Sequence, residues 1–377
     1  MPDVLIDLTV FDTPSRLRGI GRYVRGLCDG FRALRATGEL ADVDIVGLTS
    51  LRGDRDDSLT YAGAERQHSA LDYQRHKLAR RLFLGRAIRR SGARLVHLPD
   101  PPGTPIDNRV PKLVTCHDLI PLVLHDLYAR YPGGRRFQEL RALARYRTAT
   151  RVLAISEHTK RDLIEHLGMR PETITVVPHG VEHERFHDRP EPDEQERVAA
   201  LIGSDAPYFI CLGGADPRKN LPALLAAYAA SDVAPRLVLG GAMSERQRGR
   251  IEAVIAQHGL GERVTLLGYV DEALVPALFR QANAHLFPSC YEGFGLPILE
   301  AMACGAPTLC QAASASGEVA GDAALIVADG SVDAWARALQ QIEAPDLRDD
   351  LRRRGLAHAR RFTWTACARA TAGVYRE

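Results

Sequence analysis

A turn that contains two glycines, at residues 288–295, constrains the fold of this chain more than any other stretch. The apolar run from Ala284 to Phe287 before the turn is typical of a buried strand, and the run from Leu296 to Cys304 after it predicts a helix with Pro297 in its first turn. Strand-like and helix-like segments alternate in both halves of the chain, which predicts parallel sheets within an α/β fold.

The residue types in this turn are suited to a ligand that carries both phosphate groups and hydroxyls. Gly293 and Gly295 let the backbone approach a ligand closely, and the free N–H groups at the start of the helix favour anions. Glu292 lies in the turn and Glu300 about one turn into the helix, so two hydrogen-bond acceptors lie beside that site. Each glutamate alone has a simpler alternative, since Glu300 can complement the helix dipole and Glu292 can be a solvated loop charge.

The stretch Tyr291-Glu-Gly-Phe-Gly-Leu-Pro-Ile-Leu-Glu-Ala-Met-Ala-Cys-Gly305 resembles the signature of the retaining GT-B glycosyltransferases of family four. The resemblance implies an α/β protein of GT-B architecture, in which two Rossmann-like domains with parallel sheets face each other across a cleft. It implies that Glu292 binds sugar hydroxyls and that Glu300 accepts hydrogen bonds from the ribose hydroxyls. Phe294 and Leu296 belong to the same donor-binding stretch.

Composition agrees with a protein of two ordinary domains. A length of 377 residues is enough for two cores, and 45% apolar with 25% charged residues is typical of a soluble globular protein. A formal net charge of +2 provides no general attraction to nucleic acid, and seven cysteines without a Cys-x-x-Cys pair favour a reduced compartment. Met1-Pro-Asp3 lacks the basic start of a signal peptide and no apolar run reaches ~20 residues, so we expect a cytoplasmic protein.

A second glycine pair follows the first predicted strand, Val4 to Thr9. Gly19 and Gly21 precede an amphipathic helix that is predicted to begin near Arg22. A dinucleotide fingerprint would need a third glycine where Val24 stands, which argues against a nicotinamide site. The pair is either an ordinary turn or, as the resemblance implies, a loop whose amides reach the diphosphate.

Two other strand ends in the first half provide candidate site residues. The run Lys112 to Cys116 predicts a buried strand that ends at His117 and Asp118, and ligands of open parallel sheets bind beyond such ends. Ordinary core residues are the alternative, whereas the resemblance implies that His117 faces the transferred sugar and that Asp118 orients its ring. Ser156 is predicted to be the N-cap of the next helix, and the resemblance implies that this helix borders the donor.

Residues 72–90 predict a basic amphipathic helix. Leu78 and Leu82 recur at helical spacing beside Phe83, and basic residues occupy other positions. These are Arg75, Lys77, Arg80, Arg81, Arg86, Arg89 and Arg90. We favour a helix packed on the core with a solvated basic face, and peripheral contact with the inner face of an anionic membrane is the alternative. The loop 131–136 is a candidate border of the acceptor.

The domain boundary is predicted from composition. Residues 1–182 are predicted to form the first domain, 183–207 are rich in Pro, Asp, Glu and Arg as in a linker, and 208–361 are predicted to form the second domain. The resemblance implies that the second domain binds the nucleotide sugar. The resemblance implies that the closing helix, about 362–377, crosses back to the first domain.

The second half begins with a strand followed by Gly213-Gly-Ala-Asp-Pro-Arg-Lys-Asn220. Glycines such as Gly214 followed by adjacent cations suit a diphosphate, since Arg218 can bind two oxygens at once and Lys219 can act as a point charge. We expect these cations to stabilise the leaving phosphate in place of a metal ion, so neither a metal nor a cofactor is expected. Tyr269 follows another strand end, and the resemblance implies that this segment contacts the nucleobase.

The resemblance implies a retaining hexosyltransferase that moves a sugar from a GDP- or UDP-linked donor to a glycan, lipid-linked or small-molecule acceptor. Mannose is favoured because the Gly19-Ile-Gly-Arg-Tyr23 and His117-Asp-Leu-Ile-Pro121 segments resemble those of bacterial mannosyltransferases that build surface polysaccharides. The alternatives are a sugar-nucleotide epimerase, a phosphorylase, a nicotinamide oxidoreductase, and a noncatalytic protein that senses sugar nucleotides. One departure from the family pattern is Gly317, which replaces the usual proline.

Overall fold

The computed structural model describes residues 1–17, 19–61, 63, 78–102, 104–105, 109–128 and 134–377. Within these ranges the chain divides into two compact units. The first unit comprises Met1–Gly180 together with Thr363–Glu377, and the second comprises Val181–Phe362. The end of the chain therefore belongs to the same unit as its first strand.

The first unit is built on one twisted sheet. In the described part of the chain its strands are β1 (Val4–Asp7), β2 (Ile45–Leu48), β3 (Arg55–Asp56), β4 (Leu95–Leu98), β5 (Lys112–Cys116), β6 (Arg151–Ala154) and β7 (Ile174–Val176). The order across the sheet is β3-β2-β1-β4-β5-β6-β7, and every pair is parallel except β2 with β3. The strand order reverses between β1 and β4, so the carboxyl ends of these two strands form a topological switch point.

Helices cover both faces of this sheet. They are α1 (Gly19–Ala36), α2 (Gly85–Ser91), α3 (Ile120–Val123), α4 (Gly134–Tyr146) and α5 (Glu157–Leu167), with a π-helical turn at Arg80–Leu84 and 3-10 turns at Thr9–Asp12, Pro14–Leu17 and Pro171–Thr173. Alternate residues of β1 pack on opposite faces of the sheet, since Val4 and Ile6 pack with α1 whereas Leu5 packs with α2. Burial on both faces explains why the strands are short, continuous apolar runs.

The second unit has an entirely parallel sheet. In the order of the chain its elements are α6 (Glu194–Ile202), β8 (Tyr208–Leu212), α7 (Leu221–Ser231), β9 (Arg236–Gly240), α8 (Glu245–Gln257), β10 (Val264–Gly268), α9 (Val275–Gln281), β11 (Ala284–Phe287), α10 (Leu296–Ala303), β12 (Thr308–Gln311), α11 (Ala315–Ala320), β13 (Leu325–Val327), α12 (Val332–Gln341) and α13 (Pro345–Ala359). There are 3-10 turns at Pro217–Lys219, Glu272–Leu274 and Gly321–Ala323. The strand order is β10-β9-β8-β11-β12-β13, so the switch point lies between β8 and β11.

The last helix, α14 (Trp364–Arg376), packs against α1 within the first unit. Two glycines of α1 allow the close approach, because a Cβ on Gly26 would lie 2.1 Å from Cδ2 of Trp364 and one on Gly30 would lie 2.4 Å from the Trp364 carbonyl oxygen. The two parallel α/β sheets confirm the predicted fold class. The predicted strand from Ala284 to Phe287 is found with the same ends.

Three expectations from the sequence were wrong in detail. Helix α1 begins at Gly19 and not near Arg22, so Gly19 and Gly21 lie in its first turn. The expected linker 183–207 contains α6 and groups with the second unit, because the buried Glu194 of α6 is hydrogen-bonded by Arg280 and Gln281. The predicted loop 131–136 lies outside the described residues up to 133 and belongs to α4 from Gly134.

The predicted helix 72–90 also differs from expectation in the part that the structure describes, from residue 78 onward. Leu78, Leu82 and Phe83 were expected on the packed face, but they are 59%, 62% and 53% exposed. Arg80 was expected on the solvated face, but it is 1% exposed and forms an ion pair with Asp7 at 2.7 Å. The π-helical turn at Arg80–Leu84 changes the helical repeat, which explains why a regular α-helical spacing predicted the wrong faces.

Candidate active site

The loop after β8 requires glycine at two positions. Gly213 and Gly214 have φ values of +141° and +72°, which residues with a Cβ rarely adopt. A Cβ on Gly214 would lie 2.7 Å from the carbonyl oxygen of Ala242, and one on Gly213 would lie 3.0 Å from Cε of Lys219. The two glycines therefore let the loop fold back tightly, so that Lys219 lies directly over its beginning.

The backbone of the cation pair is fixed by local hydrogen bonds and by the loop after β11. Asp216 caps the 3-10 turn Pro217–Lys219 and accepts a hydrogen bond from the Arg218 amide at 3.1 Å. The Cys290 amide donates to the Arg218 carbonyl oxygen at 2.8 Å, and Arg218 Nη1 donates to the Tyr291 carbonyl oxygen at 3.3 Å. Loops from the two strands at the switch point are thus joined into one structure.

The Glu292 carboxylate lies between the two cations. Lys219 Nζ is 2.7 Å from Glu292 Oε1, and Arg218 Nη1 is in direct contact with the same oxygen. The side chains of Arg218, Lys219 and Glu292 are 19%, 11% and 12% exposed, so the cluster is largely excluded from water. Both cations contact Glu292 Oε1, so this oxygen fixes the position of the carboxylate.

The charges of this cluster can be assigned from their environment. Burial favours the neutral form of the Glu292 carboxyl, but Lys219 and Arg218 outweigh burial and hold its pKa below the usual value. Glu292 is therefore ionised at neutral pH, and Asp216 Oδ1 lies 3.6 Å from Arg218 Nε, so two carboxylates accompany the two cations. Lys219 Nζ also lies 4.9 Å from the centre of the Phe287 ring, which is a cation–π contact. The two adjacent cations are suited to bind an anionic ligand.

The other predicted residues of this stretch form the start of α10. Gly295 is the N-cap with φ +109°, and Leu296 is the first helical residue. Phe294 is 5% exposed and its ring meets that of Phe362 edge-on at 6.3 Å. Glu300, also 5% exposed, lies in the second turn of α10. Gly293 is buried between Glu292 and Phe294, so the whole stretch is packed and not a mobile loop.

Tyr269 is much more exposed than the residues of this cluster. It follows β10 directly after Gly268, which has φ +72°, and its ring is 73% exposed. An exposed aromatic ring at a strand end can stack on a flat ligand.

His117 of the first unit is half-buried at the carboxyl end of β5. Its Nε2 lies 2.8 Å from the Pro99 carbonyl oxygen, which can only accept a hydrogen bond, so Nε2 carries the proton. Burial lowers the pKa of His117 to about 4, although this hydrogen bond has the opposite effect. The ring is therefore neutral at pH 7, and its Nδ1 can accept a hydrogen bond from a hydroxyl.

Sequence reasoning missed a partner of His117. His179 follows β7, is 4% exposed, and stacks on Tyr23 at 4.8 Å, while Tyr23 meets His117 edge-on at 5.0 Å. Trp364 adds a further ring 5.7 Å from His179. The position of His179 just beyond a strand end is the signal that could have identified it, since the same rule selected His117.

Ser156 and Gly21, two of the remaining predicted residues of the first unit, have structural partners. Ser156 is confirmed as the N-cap of α5, and its Oγ accepts from the Thr159 amide at 3.0 Å. Gly21 lies against the 3-10 turn before α1, where a Cβ would be 2.2 Å from the Arg16 carbonyl oxygen. At Gly19 a Cβ would meet nothing within 4 Å, so packing does not require glycine there.

A buried ionic cluster, which was not predicted, occupies the switch point of the first unit. Asp7 at the end of β1 pairs with Arg80, whose Nη2 also donates to the Asp100 carbonyl oxygen at 3.1 Å. Thr9 donates its amide and its hydroxyl to Asp7 Oδ1 at 3.0 and 2.7 Å. Within the described residues no group of three or more His, Cys, Asp or Glu side chains could hold a metal ion.

Two parallel α/β units and a buried cation pair at a switch point are features of enzymes that bind nucleotides or phosphorylated sugars. Residues 17–185 match the family model described as Glycosyltransferase Family 4, and residues 192–358 match the one described as Glycosyl transferases group 1. The chain therefore belongs to the group 1 glycosyltransferases of the GT-B fold, and the resemblance noted in the sequence is confirmed.

The curated relatives include several mannosyltransferases. O-antigen chain mannosyltransferase B of Escherichia coli is 39% identical over 180 residues, which is 45% of this chain and 45% of that protein. MMP alpha-(1->4)-mannosyltransferase of Mycolicibacterium hassiacum is 32% identical over 232 residues, or 59% of this chain and 53% of that protein. The chain thus spans about half the length of these two relatives.

Solved structures of low sequence identity share the whole fold. Sucrose-phosphate synthase from Thermosynechococcus elongatus has a TM-score of 0.78 at 21% identity, and the match covers 100% of this chain and 98% of that one. Anabaena HepE in complex with UDP and glucose has a TM-score of 0.72 at 16% identity, covering 99% of both chains. At these identities the comparison establishes the fold alone.

Proposed function

We propose that this chain is a retaining glycosyltransferase that transfers a hexose from a nucleotide diphosphate sugar to a glycan, lipid-linked or small-molecule acceptor. Mannose is the favoured hexose. The observation that carries the proposal is the cluster of Arg218, Lys219 and Glu292 at the switch point between β8 and β11. The names of the mannosyltransferase relatives support mannose and a role in bacterial polysaccharide or glycoconjugate synthesis.

The role of the cation pair follows from the charge that develops in the reaction. The bond between the sugar C1 and the phosphate oxygen breaks, a bond from C1 to the acceptor oxygen forms, and the acceptor proton passes to the departing phosphate. Negative charge on the phosphate increases as it leaves, and the fixed cations of Arg218 and Lys219 stabilise that change. Departure and attack on the same face of the sugar retain the anomeric configuration, which is the route that the family resemblance implies.

Glu292 has a separate role for each of its oxygens in this proposal. Oε1 holds Arg218 and Lys219 in place, whereas Oε2 accepts a hydrogen bond from a hydroxyl of the donor sugar. Glu300 accepts from the ribose hydroxyls, and the amides of Gly293, Gly295 and Leu296 contribute hydrogen bonds to the donor. Tyr269 contacts the base, for which guanine is favoured and uracil is the alternative.

The first unit contributes hydrogen-bond acceptors in this proposal. His117 is neutral and accepts a sugar hydroxyl at Nδ1, since its Nε2–H is engaged with Pro99. Ser156 and the glycines of α1, Gly19 and Gly21, line the donor side. No metal and no cofactor take part, because the cations supply the positive charge that the leaving group needs.

We further propose that the first unit contacts the anionic inner face of a membrane. No helix within the described ranges is long and apolar enough to cross a membrane. Leu78, Leu82 and Phe83 are more than half exposed, and the nearby Arg86 and Arg89 are exposed cations. Apolar side chains beside cations are suited to the boundary between lipid headgroups and acyl chains.

Incubation with a panel of sugar nucleotides tests the proposed function. The protein is mixed with GDP-mannose, GDP-glucose, UDP-glucose or UDP-galactose, with and without mannosides as acceptors, and both the nucleoside diphosphate and the glycoside are quantified. We expect both products in equal amounts, only with acceptor, and little changed by a chelator. NMR of the glycoside should show the anomeric configuration of the donor.

Other outcomes would identify a different reaction. A new sugar nucleotide without acceptor would indicate an epimerase, and a sugar phosphate formed from a glycan and inorganic phosphate would indicate a phosphorylase. Donor binding without any product across the panel would favour a noncatalytic sensor. Activity lost on chelation and restored by a divalent ion would contradict the metal-free mechanism.

A further inference from the structure

Ser314 has a backbone conformation that is unusual for a residue with a side chain. Its φ is 57° and its ψ is −145°, close to a region that is open almost only to glycine. Asp193, Asn220 and Asp232 also have positive φ, but their ψ values of 16°, 34° and 35° place them in the ordinary left-handed helical region. Serine at position 314 is therefore strained in a way that these three residues are not.

The strained residue lies against the centre of the cation cluster. The Glu292 amide donates a hydrogen bond to Ser314 Oγ at 2.7 Å, and the Ala315 amide donates to the Glu292 carbonyl oxygen at 3.4 Å. Both backbone polar groups of Glu292 are thus held by two adjacent residues, Ser314 in the loop after β12 and Ala315 at the start of α11. Glycine would relieve the strain at 314 but would leave the Glu292 amide without this acceptor.

We propose that Ser314 is a positioning residue of the donor site, which fixes the backbone of Glu292 so that its Oε2 meets the hydroxyls of the donor sugar. The inference rests on the proposed function. Three strand-end loops meet here, since Arg218 and Lys219 follow β8, Glu292 follows β11 and Ser314 follows β12. Because Ser314 acts on the glutamate and not on the cations, its loss affects recognition of the sugar more than recognition of the diphosphate.

Two substitutions separate positioning from a purely structural role. Ser314→Gly removes both the hydroxyl and the strain, whereas Ser314→Ala removes the hydroxyl and keeps the strain. Asp232→Gly is the matched control, since it also replaces a residue of positive φ in the second unit. Asp232 lies at the end of α7 just before β9 begins, and hence at the opposite edge of the sheet from the donor site.

The readouts are thermal unfolding and calorimetric affinity for two ligands, inorganic pyrophosphate and the sugar nucleotide that the unchanged protein binds best in the panel above. We expect Ser314→Gly to unfold at the same temperature or higher, to bind pyrophosphate within about 3-fold of the unchanged protein, and to bind the sugar nucleotide ~10-fold more weakly. Ser314→Ala should show the same loss of affinity and a lower unfolding temperature. Asp232→Gly should retain both affinities.

Two results would overturn the inference in different ways. If Ser314→Gly retained full affinity for the sugar nucleotide, or lost affinity for both ligands equally, Ser314 would not position Glu292 toward the sugar. If the unchanged protein bound neither pyrophosphate nor any sugar nucleotide, the proposed function itself would fail, and the inference would fail with it.

Discussion

At the scale of the residue, Glu292 is the side chain on which the donor site depends. It is an ionised carboxylate largely excluded from water, and the two cations that it holds are those proposed to bind the diphosphate. A buried anion between two cations is stable only while all three charges remain, because removing one leaves its partners uncompensated. Glu292 therefore links the stability of the second unit to its capacity to bind an anion.

Replacing Glu292 with glutamine tests this link. We expect Glu292→Gln to lower the free energy of unfolding by about 1.5 to 3 kcal/mol at neutral pH, the usual contribution of hydrogen bonds to charged groups. The folded-state pKa of Glu292 is lowered, so its contribution is present above the unfolded value and is lost as the pH falls through the folded one. Urea unfolding of both proteins across the acidic range should therefore show a difference that shrinks toward low pH.

A matched variant controls for the loss of a charge alone. Glu252 pairs with Arg248 at 2.8 Å on the surface of α8, where both side chains are about half exposed, at 51% and 45%. Glu252→Gln should change stability much less, because exposed pairs contribute little. An equal effect of the two substitutions would mean that the Glu292 ion pairs contribute no more to stability than an exposed surface pair.

Individual residues of the site were predictable from the sequence to differing degrees. Glu292 was recognised as an acceptor because it lies in a glycine turn, and Arg218 and Lys219 because they follow a strand end. The contact between them was not predictable, since it joins loops 73 positions apart in the chain. Arg80 and Asp7 are also separated by more than 70 positions, and a lone arginine in a basic helix gives no sign of burial.

At the scale of the element, helix α1 and the closing helix α14 pack closely against each other in the first unit. Gly26 and Gly30 are spaced by one helical turn and provide a groove for Trp364 and Ala368. Glycine in a helix normally lowers stability, so these two glycines are retained for packing.

Substitution of helix glycines should therefore have opposite effects at two positions. Gly26→Ala places a methyl group within 2.1 Å of the Trp364 ring, and overpacking of this kind costs about 1 to 3 kcal/mol. Gly249 lies within α8 where a Cβ would meet nothing within 4 Å, so Gly249→Ala should stabilise by about 0.5 to 1 kcal/mol. Thermal unfolding compares the two, and stabilisation by Gly26→Ala would contradict the observed packing.

The exposed turn around Phe83 is a further element with a testable role. Phe83→Asp should abolish most of the sedimentation of the protein with phosphatidylglycerol vesicles, because the substitution removes apolar area and adds a charge of the same sign as the lipid. Binding by the unchanged protein should weaken at high salt. Ile326→Asp is the control, as Ile326 is an exposed apolar residue of the second unit. Equal binding by all three proteins would exclude this turn as the contact.

The elements themselves were largely predictable, and the exceptions have physical causes. Continuous apolar runs such as Ala284 to Phe287 identified the buried strands, since both faces of these sheets are covered. The edge strand β3, with only two residues, and the short β13 carry too little pattern to be detected. Helix α6 was hidden in a segment of linker-like composition, because its stability comes from tertiary partners of Glu194.

At the scale of the whole molecule, buried neutral histidines make the first unit sensitive to acid. Burial lowers the pKa of His97 to about 3 and that of His117 to about 4, and burial together with His117 holds the pKa of His179 well below its usual value. The unfolded chain binds more protons than the folded one between the usual pKa of about 6.5 and these lowered values, so stability decreases as the pH falls through that window. Each of the three histidines should contribute about 1.4 kcal/mol per pH unit.

Two variants of one hydrogen bond isolate this effect. His97 Nδ1 lies 2.7 Å from the Tyr375 hydroxyl, so His97→Gln and Tyr375→Phe both remove the contact, but only the first removes a titrating group. In urea unfolding between about pH 4 and pH 6, His97→Gln should show a slope smaller by about 1.4 kcal/mol per pH unit, and Tyr375→Phe should keep the original slope. Parallel curves for all three proteins would contradict the assignment of His97 as neutral.

The central claim is that Arg218 and Lys219 bind the diphosphate of a sugar nucleotide. Its most direct test is calorimetric titration of GDP-mannose, and of GDP and UDP alone, into the unchanged protein and into the Arg218→Ala, Lys219→Ala and Arg353→Ala variants. We predict one preferred nucleotide, affinity reduced by ~100-fold in either of the first two variants, and no change in the third, where the exposed arginine lies on α13. Equal affinity in all four proteins would contradict the claim and would place the donor elsewhere on the chain.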